Sequence, residues 1–155
     1  MNDEERTSMS DEERTPMGDD EQARMRRPHI FAVNGASEFL NLVRDLFESE
    51  DFNITTTNFV PETFDQIAAL NPSVLLVDLA HGQRAGWDLL EQLRAGALTH
   101  GIPTLVLSTA QANLDDVRAH RSRYGGDAFL SKPFDLDDLL NAVNALLVPS
   151  RVLTL

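Results

Sequence analysis

The feature that most constrains the fold is a regular alternation between short apolar runs and segments with helical periodicity, extending over residues 29–148. Five runs are short enough for strands, and in each following segment the apolar residues recur every three or four positions. The third run, Val74-Leu75-Leu76-Val77, is apolar throughout, as expected of a central parallel strand covered by helices on both faces. Five strands alternating with five helices predict an α/β fold with a doubly wound parallel sheet and right-handed crossovers.

Turn and capping residues set the predicted limits of these elements. The predicted strands are residues 30–33, 52–57, 74–77, 104–108 and 128–130. The predicted helices are residues 37–50, a segment from Pro61 to the Asn71-Pro72 stop, residues 87–95, residues 113–124, and a last helix between Asp135 and Pro149. We expect Ser37, Asn113 and Asp135 to cap their helices and Gly125-Gly126 to end the fourth.

The two ends of the chain differ from this middle part. Residues 1–28 contain nine acidic residues, five arginines and almost no large aliphatic residues, and the sequence DEERT occurs twice. Such a segment cannot bury enough apolar surface to offset its ordering entropy, so we predict a disordered tail. The domain is then expected over residues 29–148, followed by a short C-terminal tail at residues 149–155. The N-terminal tail is either simply solvated or a docking or regulatory segment.

Charge and composition limit the classes of partner. The formal net charge is −12, which speaks against nucleic-acid binding through a broad basic face. The one basic run, residues 118–124, is interpreted first as a solvated helix surface and second as a partner patch. Cysteine is absent, and the sequence has neither a signal-like apolar segment nor an apolar run long enough to span a membrane. We therefore expect a cytoplasmic protein.

Ligands of open parallel sheets bind beyond the carboxyl ends of the strands. In this sequence those ends carry Asn34 and Gly35, then Asp78, Ser108 and Lys132. Lys132 is the only lysine in a chain with twelve arginines, and a compact ammonium suits a place beside a carboxylate or phosphate. The isomer of the bond to Pro133 is left open by the sequence.

Three segments carry a family resemblance: VLLVDLAHGQRAGWDLLEQLR, IPTLVLSTA and GGDAFLSKPFDLDDLL. Together they resemble the receiver domain of two-component response regulators, over residues 28–148. The resemblance implies the flavodoxin-like strand order 2-1-3-4-5. It also implies that Asp78 is the phosphate-accepting residue, Ser108 the switch hydroxyl, Lys132 the phosphate-pairing lysine and Phe129 the switch aromatic. Core packing is an equal alternative for Phe129.

The end of the first strand departs from that pattern. Receivers usually have two acidic residues there, which bind Mg²⁺ together with the phosphate-accepting aspartate, and Asn34 and Gly35 occupy these positions. Asp78, an Asn34 oxygen and the Ala80 backbone would make a weak site or none, because Mg²⁺ is usually held by carboxylates. With less repulsion from neighbouring acids, we predict a direct ion pair between Asp78 and Lys132. His81, on the following loop, is a weaker candidate for a phosphate contact.

Three functions are consistent with these residues. The first is a stand-alone receiver that takes a phosphoryl group on Asp78 from a histidine kinase or relay protein and signals through its fourth helix, fifth strand and fifth helix. The second is an atypical receiver that binds another signalling protein, or a second copy of itself, independently of phosphorylation. The third is a phosphatase similar to the haloacid dehalogenases, which require a second acidic residue two positions after the nucleophilic aspartate. Since that position is Ala80, we expect no enzyme.

Overall fold

The computed structural model describes residues 18–19, 21–22, 27–80 and 83–147. The strands are β1 (His29–Val33), β2 (Asn53–Thr57), β3 (Val74–Leu79), β4 (Thr104–Ser108) and β5 (Ala128–Ser131). The helices from Ser37 onward are α1 (Ser37–Ser49), α2 (Thr63–Leu70), α3 (Ala85–Ala95), α4 (Gln111–Ala119), α5 (Arg121–Tyr124) and α6 (Leu136–Leu147). The predicted tails lie almost wholly outside the described residues, so their character stays a prediction.

The five strands form one sheet in the order β2-β1-β3-β4-β5, and every neighbouring pair is parallel. The predicted doubly wound sheet and strand order are confirmed. The chain winds outward in both directions from the pair β1 and β3, so the crevice between their carboxyl ends is the topological switch point at which such folds bind ligands.

Alternate residues of each strand face two separate cores, because successive side chains in a strand point to opposite faces. Every residue of β3 is buried, as its apolar run predicts for a central strand. The first core takes Phe31, Val33, Leu75, Val77 and Val106 from the sheet and is closed by α2, α3, α4 and α5. The second core takes Ile30, Ala32, Leu76, Leu105 and Leu107 and is closed by α1 and α6.

The predicted number of helices was wrong. The fourth predicted helix is two, α4 and α5, separated at His120, whose backbone departs from helical geometry. Helix α4 begins at Gln111, so Asn113 lies inside it and does not cap it, and Ala36 rather than Ser37 occupies the cap position of α1. The predicted glycine stop is confirmed, since Gly125 and Gly126 have positive φ angles of 73° and 91°.

Strand β3 extends beyond its predicted end to Leu79. Asp78 is therefore a residue of the strand, paired in register with Leu107 of β4, and not the first residue after it. Among the described residues, no helix is long and apolar enough to cross a membrane.

Candidate functional site

Parallel pairing brings the predicted polar residues to one edge of the sheet. Asp78 stands near the end of β3, and Leu79 is in register with Ser108, the last residue of β4. Val33 of β1 is in register with Val77, so Asn34 continues the chain alongside Asp78. Lys132 follows β5 and its N–H donates to the Ser108 carbonyl at 2.8 Å. The edge thus gathers four side chains from four different strand ends.

Asp78 and Lys132 form a direct ion pair. The Lys132 Nζ lies 2.7 Å from Asp78 Oδ1, and the two side chains are 22% and 9% exposed. A charge-assisted hydrogen bond of this length between largely buried side chains is a strong one. The predicted pair is confirmed. The Lys132–Pro133 peptide bond is cis.

The lysine has a second neighbour that the sequence analysis did not identify. Its Nζ lies 4.6 Å from the centre of the Phe39 ring, a cation–π geometry. Phe39 belongs to the first turn of α1, and its ring meets Phe134 edge-on with centroids 6.3 Å apart. Its place in the first turn after β1 is the sequence signal that could have identified it at this edge.

Ser108 is completely buried and its hydroxyl is fully engaged. The hydroxyl donates to the Leu79 carbonyl at 3.3 Å and accepts from the Ala110 N–H at 3.0 Å and from the Asn113 amide at 3.1 Å. A hydroxyl has one donor and two acceptor positions, so this set is complete. Asn113, predicted as a helix cap, instead orients the Ser108 hydroxyl.

Asn34 shows the opposite condition. The residue is 3% exposed, and its Oδ1 accepts the Ala36 N–H at 2.8 Å in a tight turn. Its Nδ2 is buried and has no hydrogen-bond partner among the residues that the structure describes. Beside it, a Cβ added to Gly35 would meet no atom within 4 Å, so the missing acidic side chain is not excluded by lack of space.

These residues do not fit a magnesium ion. The Asp78 carboxylate is paired with Lys132, and the only oxygen of the Asn34 side chain is committed to the turn, which leaves an amide donor in place of a ligand. The Ala80 carbonyl accepts the Gln83 N–H at 3.3 Å. In the part of the chain that the structure describes, no group of three histidine, aspartate or glutamate side chains could hold a metal ion. The oxygen-rich ligation that Mg²⁺ requires is not assembled here.

Phe129 lies away from the ion pair, two residues before the end of β5. It is partly buried against the first core, and the Arg118 guanidinium lies 4.4 Å from its ring centre. A Cβ on Gly126 would come within 3.1 Å of the ring, so this glycine makes room for it. The ring is in a packed position, and its predicted switching role stays a prediction.

The basic run of the fourth helical region is largely neutralised. Arg118, Arg121 and Arg123 each pair with an acidic side chain, at 3.6, 2.8 and 2.6 Å. The hydrogen bond and charge of Glu91 raise the pKa of Arg123. A solvated surface, the first of the two interpretations of this run, agrees with these pairs. His81 lies outside the described residues.

Comparison with known proteins gives the family. A family model of the response regulator receiver domain matches residues 30–144. Response regulator Rre1 of Synechocystis is 31% identical over 102 residues, covering 66% of this chain and 43% of Rre1. The cell cycle response regulator CtrA of Brucella ovis is 26% identical over 122 residues, covering 79% of this chain and 51% of CtrA. The chain therefore spans about half or less of the length of these curated relatives.

Solved structures agree on the fold. The receiver domain of the Francisella response regulator 1452 superposes with a TM-score of 0.67 at 24% identity, covering 78% of this chain and 97% of that domain. The chemotaxis response regulator CheY4 of Vibrio cholerae gives a TM-score of 0.68 at 17% identity, covering 77% and 98%. With the family model matching most of the sequence, the chain belongs to the response regulator receiver family of two-component signalling.

Proposed function

We propose that this receiver accepts a phosphoryl group on Asp78 from a histidine kinase or a phosphorelay protein. The observation that carries the proposal is the 2.7 Å contact between the Asp78 carboxylate and Lys132 at the topological switch point. The lysine holds the carboxylate at a fixed place, and its ammonium would balance the charge that a phosphoryl group adds there.

The transfer needs one nucleophile and one bond to break. A carboxylate oxygen of Asp78 attacks phosphorus, and the new P–O bond forms as the P–N bond of a phosphohistidine donor breaks. The imidazole leaves with the electron pair of that bond. Phosphoramidate carries the same kind of P–N bond, and its already protonated nitrogen leaves as ammonia. It is therefore a suitable small donor for testing Asp78.

Ser108 supports a route by which the modification reaches the surface. Its O–H donates a hydrogen bond to the Leu79 carbonyl. Because a hydroxyl has only one hydrogen to donate, a hydrogen bond to a phosphoryl oxygen requires that the bond to Leu79 be broken. The same hydroxyl accepts from Ala110 and Asn113, at the start of α4. We infer that rotation of Ser108 shifts the start of α4 and thereby the partner face made by α4, β5 and α6.

A second candidate function is favoured by a different observation. Because the β1 side of the edge does not fit Mg²⁺, the domain would instead bind its partner without being phosphorylated. Such a receiver keeps the same fold and partner face, and Asp78 and Lys132 then act as a structural ion pair.

Intact mass spectrometry after incubation with phosphoramidate separates the two candidates. We expect a gain of one phosphoryl group in the wild type and none in Asp78→Asn. The matched control is Asp88→Asn, because the Asp88 side chain is an exposed carboxylate on α3, paired only with Arg84 at 3.7 Å. A wild type that gains no mass, in Mg²⁺ or in EDTA, would reject phosphorylation and support the binding module.

A further inference from the structure

The buried amide of Asn34 has a hydrogen-bonding capacity that the resting site does not use. Its Nδ2 carries two N–H donors, is shielded from solvent and has no partner. A buried donor without an acceptor keeps its desolvation cost, so an acceptor that reached it would bind favourably. An oxygen atom of a ligand that accepted from this amide would therefore satisfy its hydrogen-bonding capacity.

The identity of this donor follows from the turn. Amide oxygen and nitrogen are distinguished by their partners, and one end of the Asn34 side chain accepts the Ala36 N–H at 2.8 Å. Of the two ends of an amide side chain, only the oxygen can accept a hydrogen bond from an N–H. The end without a partner is therefore the NH₂ group. The site thus presents a donor where receivers usually present carboxylates.

The donor lies beside the proposed acceptor of the phosphoryl group. Val33 and Val77 are in register on neighbouring strands, which in sheets lie about 4.8 Å apart, and Asn34 and Asp78 are the residues that directly follow them. Lys132 approaches the same carboxylate from the β5 side. An oxygen attached through phosphorus to Asp78 would lie between an amide donor and an ammonium.

The charges of the edge favour the same occupant. Asp78 and Lys132 neutralise one another, and Asn34 and Gly35 add no charge. A phosphoryl group brings about two negative charges, and no second carboxylate at the end of β1 opposes them. At the end of β1 the side-chain oxygen of Asn34 accepts the Ala36 N–H, so this end offers a donor to phosphoryl oxygens and no carboxylate to a divalent cation.

We propose that Asn34 Nδ2 and Lys132 Nζ together hold the oxygens of a phosphoryl group on Asp78, so that the site takes up this group without a divalent cation. The inference rests on the proposed function, because it assumes that Asp78 is the acceptor. It deepens that function by giving the amide a positioning role and by removing the metal requirement.

The test measures the rate of phosphoryl gain from phosphoramidate by intact mass, in excess Mg²⁺ and in EDTA. We expect equal rates in the two conditions for the wild type. Asn34→Asp retains an oxygen for the Ala36 N–H and hence the turn, but replaces the donor with a charged acceptor. Its rate in EDTA should fall by at least about tenfold, since losing one oxyanion donor commonly costs more than that.

Gly35→Ala is the matched control, because the added methyl group meets no atom within 4 Å and removes no donor. It should react at the wild-type rate, and circular dichroism should show that both variants are folded. Uptake by the wild type only in Mg²⁺ would overturn this inference and leave the proposed function standing, as would an Asn34→Asp rate in EDTA equal to that of the wild type. The absence of uptake in both conditions would overturn the two together.

Discussion

The two sides of the carboxyl edge differ in the polar groups that they carry and in how those groups are hydrogen-bonded. On the side of β3, β4 and β5, the polar groups of Asp78, Ser108 and Lys132 have near partners in a closed set of contacts. On the β1 side, Asn34 has an unused donor and Gly35 faces open space. One side thus holds paired polar and charged groups, while the described residues of the other side offer no carboxylate.

Two glycines show that packing does not explain the difference. A Cβ on Gly86 would lie 2.6 Å from the Asp78 carbonyl oxygen and 2.9 Å from Leu79 Cδ2, so glycine is required behind β3. A Cβ on Gly35 would touch nothing within 4 Å. A Cβ at position 35 is therefore sterically allowed, whereas one at position 86 is not.

The largest expected effect lies on the β3–β5 side. Lys132→Met keeps an unbranched side chain near Phe39 but removes the charge beside Asp78. We expect phosphoryl uptake from phosphoramidate to slow by about 10²–10³-fold, the usual cost of losing one preorganised stabilising group. Lys132→Arg is the control for charge alone, and its planar guanidinium should restore only part of the rate. A Lys132→Met rate near the wild type's would remove the functional contrast between the two sides.

The next largest effect is expected when the end of β1 is given the two acidic residues that receivers usually have there. The double variant Asn34→Asp/Gly35→Asp sets two more carboxylates beside Asp78, so like charges should lower its thermal stability in EDTA. Mg²⁺ should restore it, by about 2.7 kcal/mol at a concentration of one hundred times Kd. Thermal melts with and without Mg²⁺ measure this, and the wild type at equal ionic strength should not respond. An equal Mg²⁺ response in the wild type would mean that its β1 side already binds the ion.

A smaller effect tests the steric contrast between the two glycines. Gly86→Ala should destabilise the fold by about 1–3 kcal/mol through overpacking, lowering Tm by several degrees. Gly86 lies in α3, where alanine is the better helix former, so a fall in Tm would be steric in origin. Gly35→Ala should leave Tm nearly unchanged. Equal melting temperatures for the two variants would contradict the contrast.

The smallest effect concerns pH and the other end of β1. Burial lowers the pKa of His29 below its usual 6.5, and Nε2 lies 2.8 Å from Thr55 Oγ1. Protonation therefore favours the unfolded chain, and the stability that neutral His29 contributes is complete above pH 6.5 and lost as the pH falls through its lowered pKa. His29→Gln should reduce the fall in Tm between about pH 7.5 and 5.5 by no more than about 2 °C.

His120→Gln serves as the control for that measurement, because the His120 ring lies on the exposed surface after α4. A pH response of His29→Gln identical to that of the wild type would show that β1 contributes no titration to folding.

Sequence patterns predicted the sheet well because its signals are local. The all-apolar run of β3 and the glycines after Tyr124 act within a few residues, and both were correctly interpreted. The ion pair was also predictable, since Lys132 is the only lysine and follows a strand that ends at the same edge of the sheet as β3.

The remaining features of the site depend on tertiary geometry. The place of Phe39 in the first turn after β1 could indicate this edge, but its contact with Lys132 exists only once β5 has joined the sheet. Asn113 resembles a helix cap in sequence, but α4 begins two residues earlier and turns its amide toward Ser108. The unused donor of Asn34 is likewise invisible until its neighbours are known.

The position of Asp78 inside β3 determines where structural adjustment can begin. Its backbone is paired with β4, and one more residue of the strand follows it. The backbone of Asp78 therefore cannot shift to make room for a phosphoryl group without breaking this pairing. Any space for new atoms must come from side chains around it and from the segments that follow β1 and β4. If Asp78 is modified as proposed, the adjustment would therefore fall on its neighbours, because β3 is buried and paired on both sides.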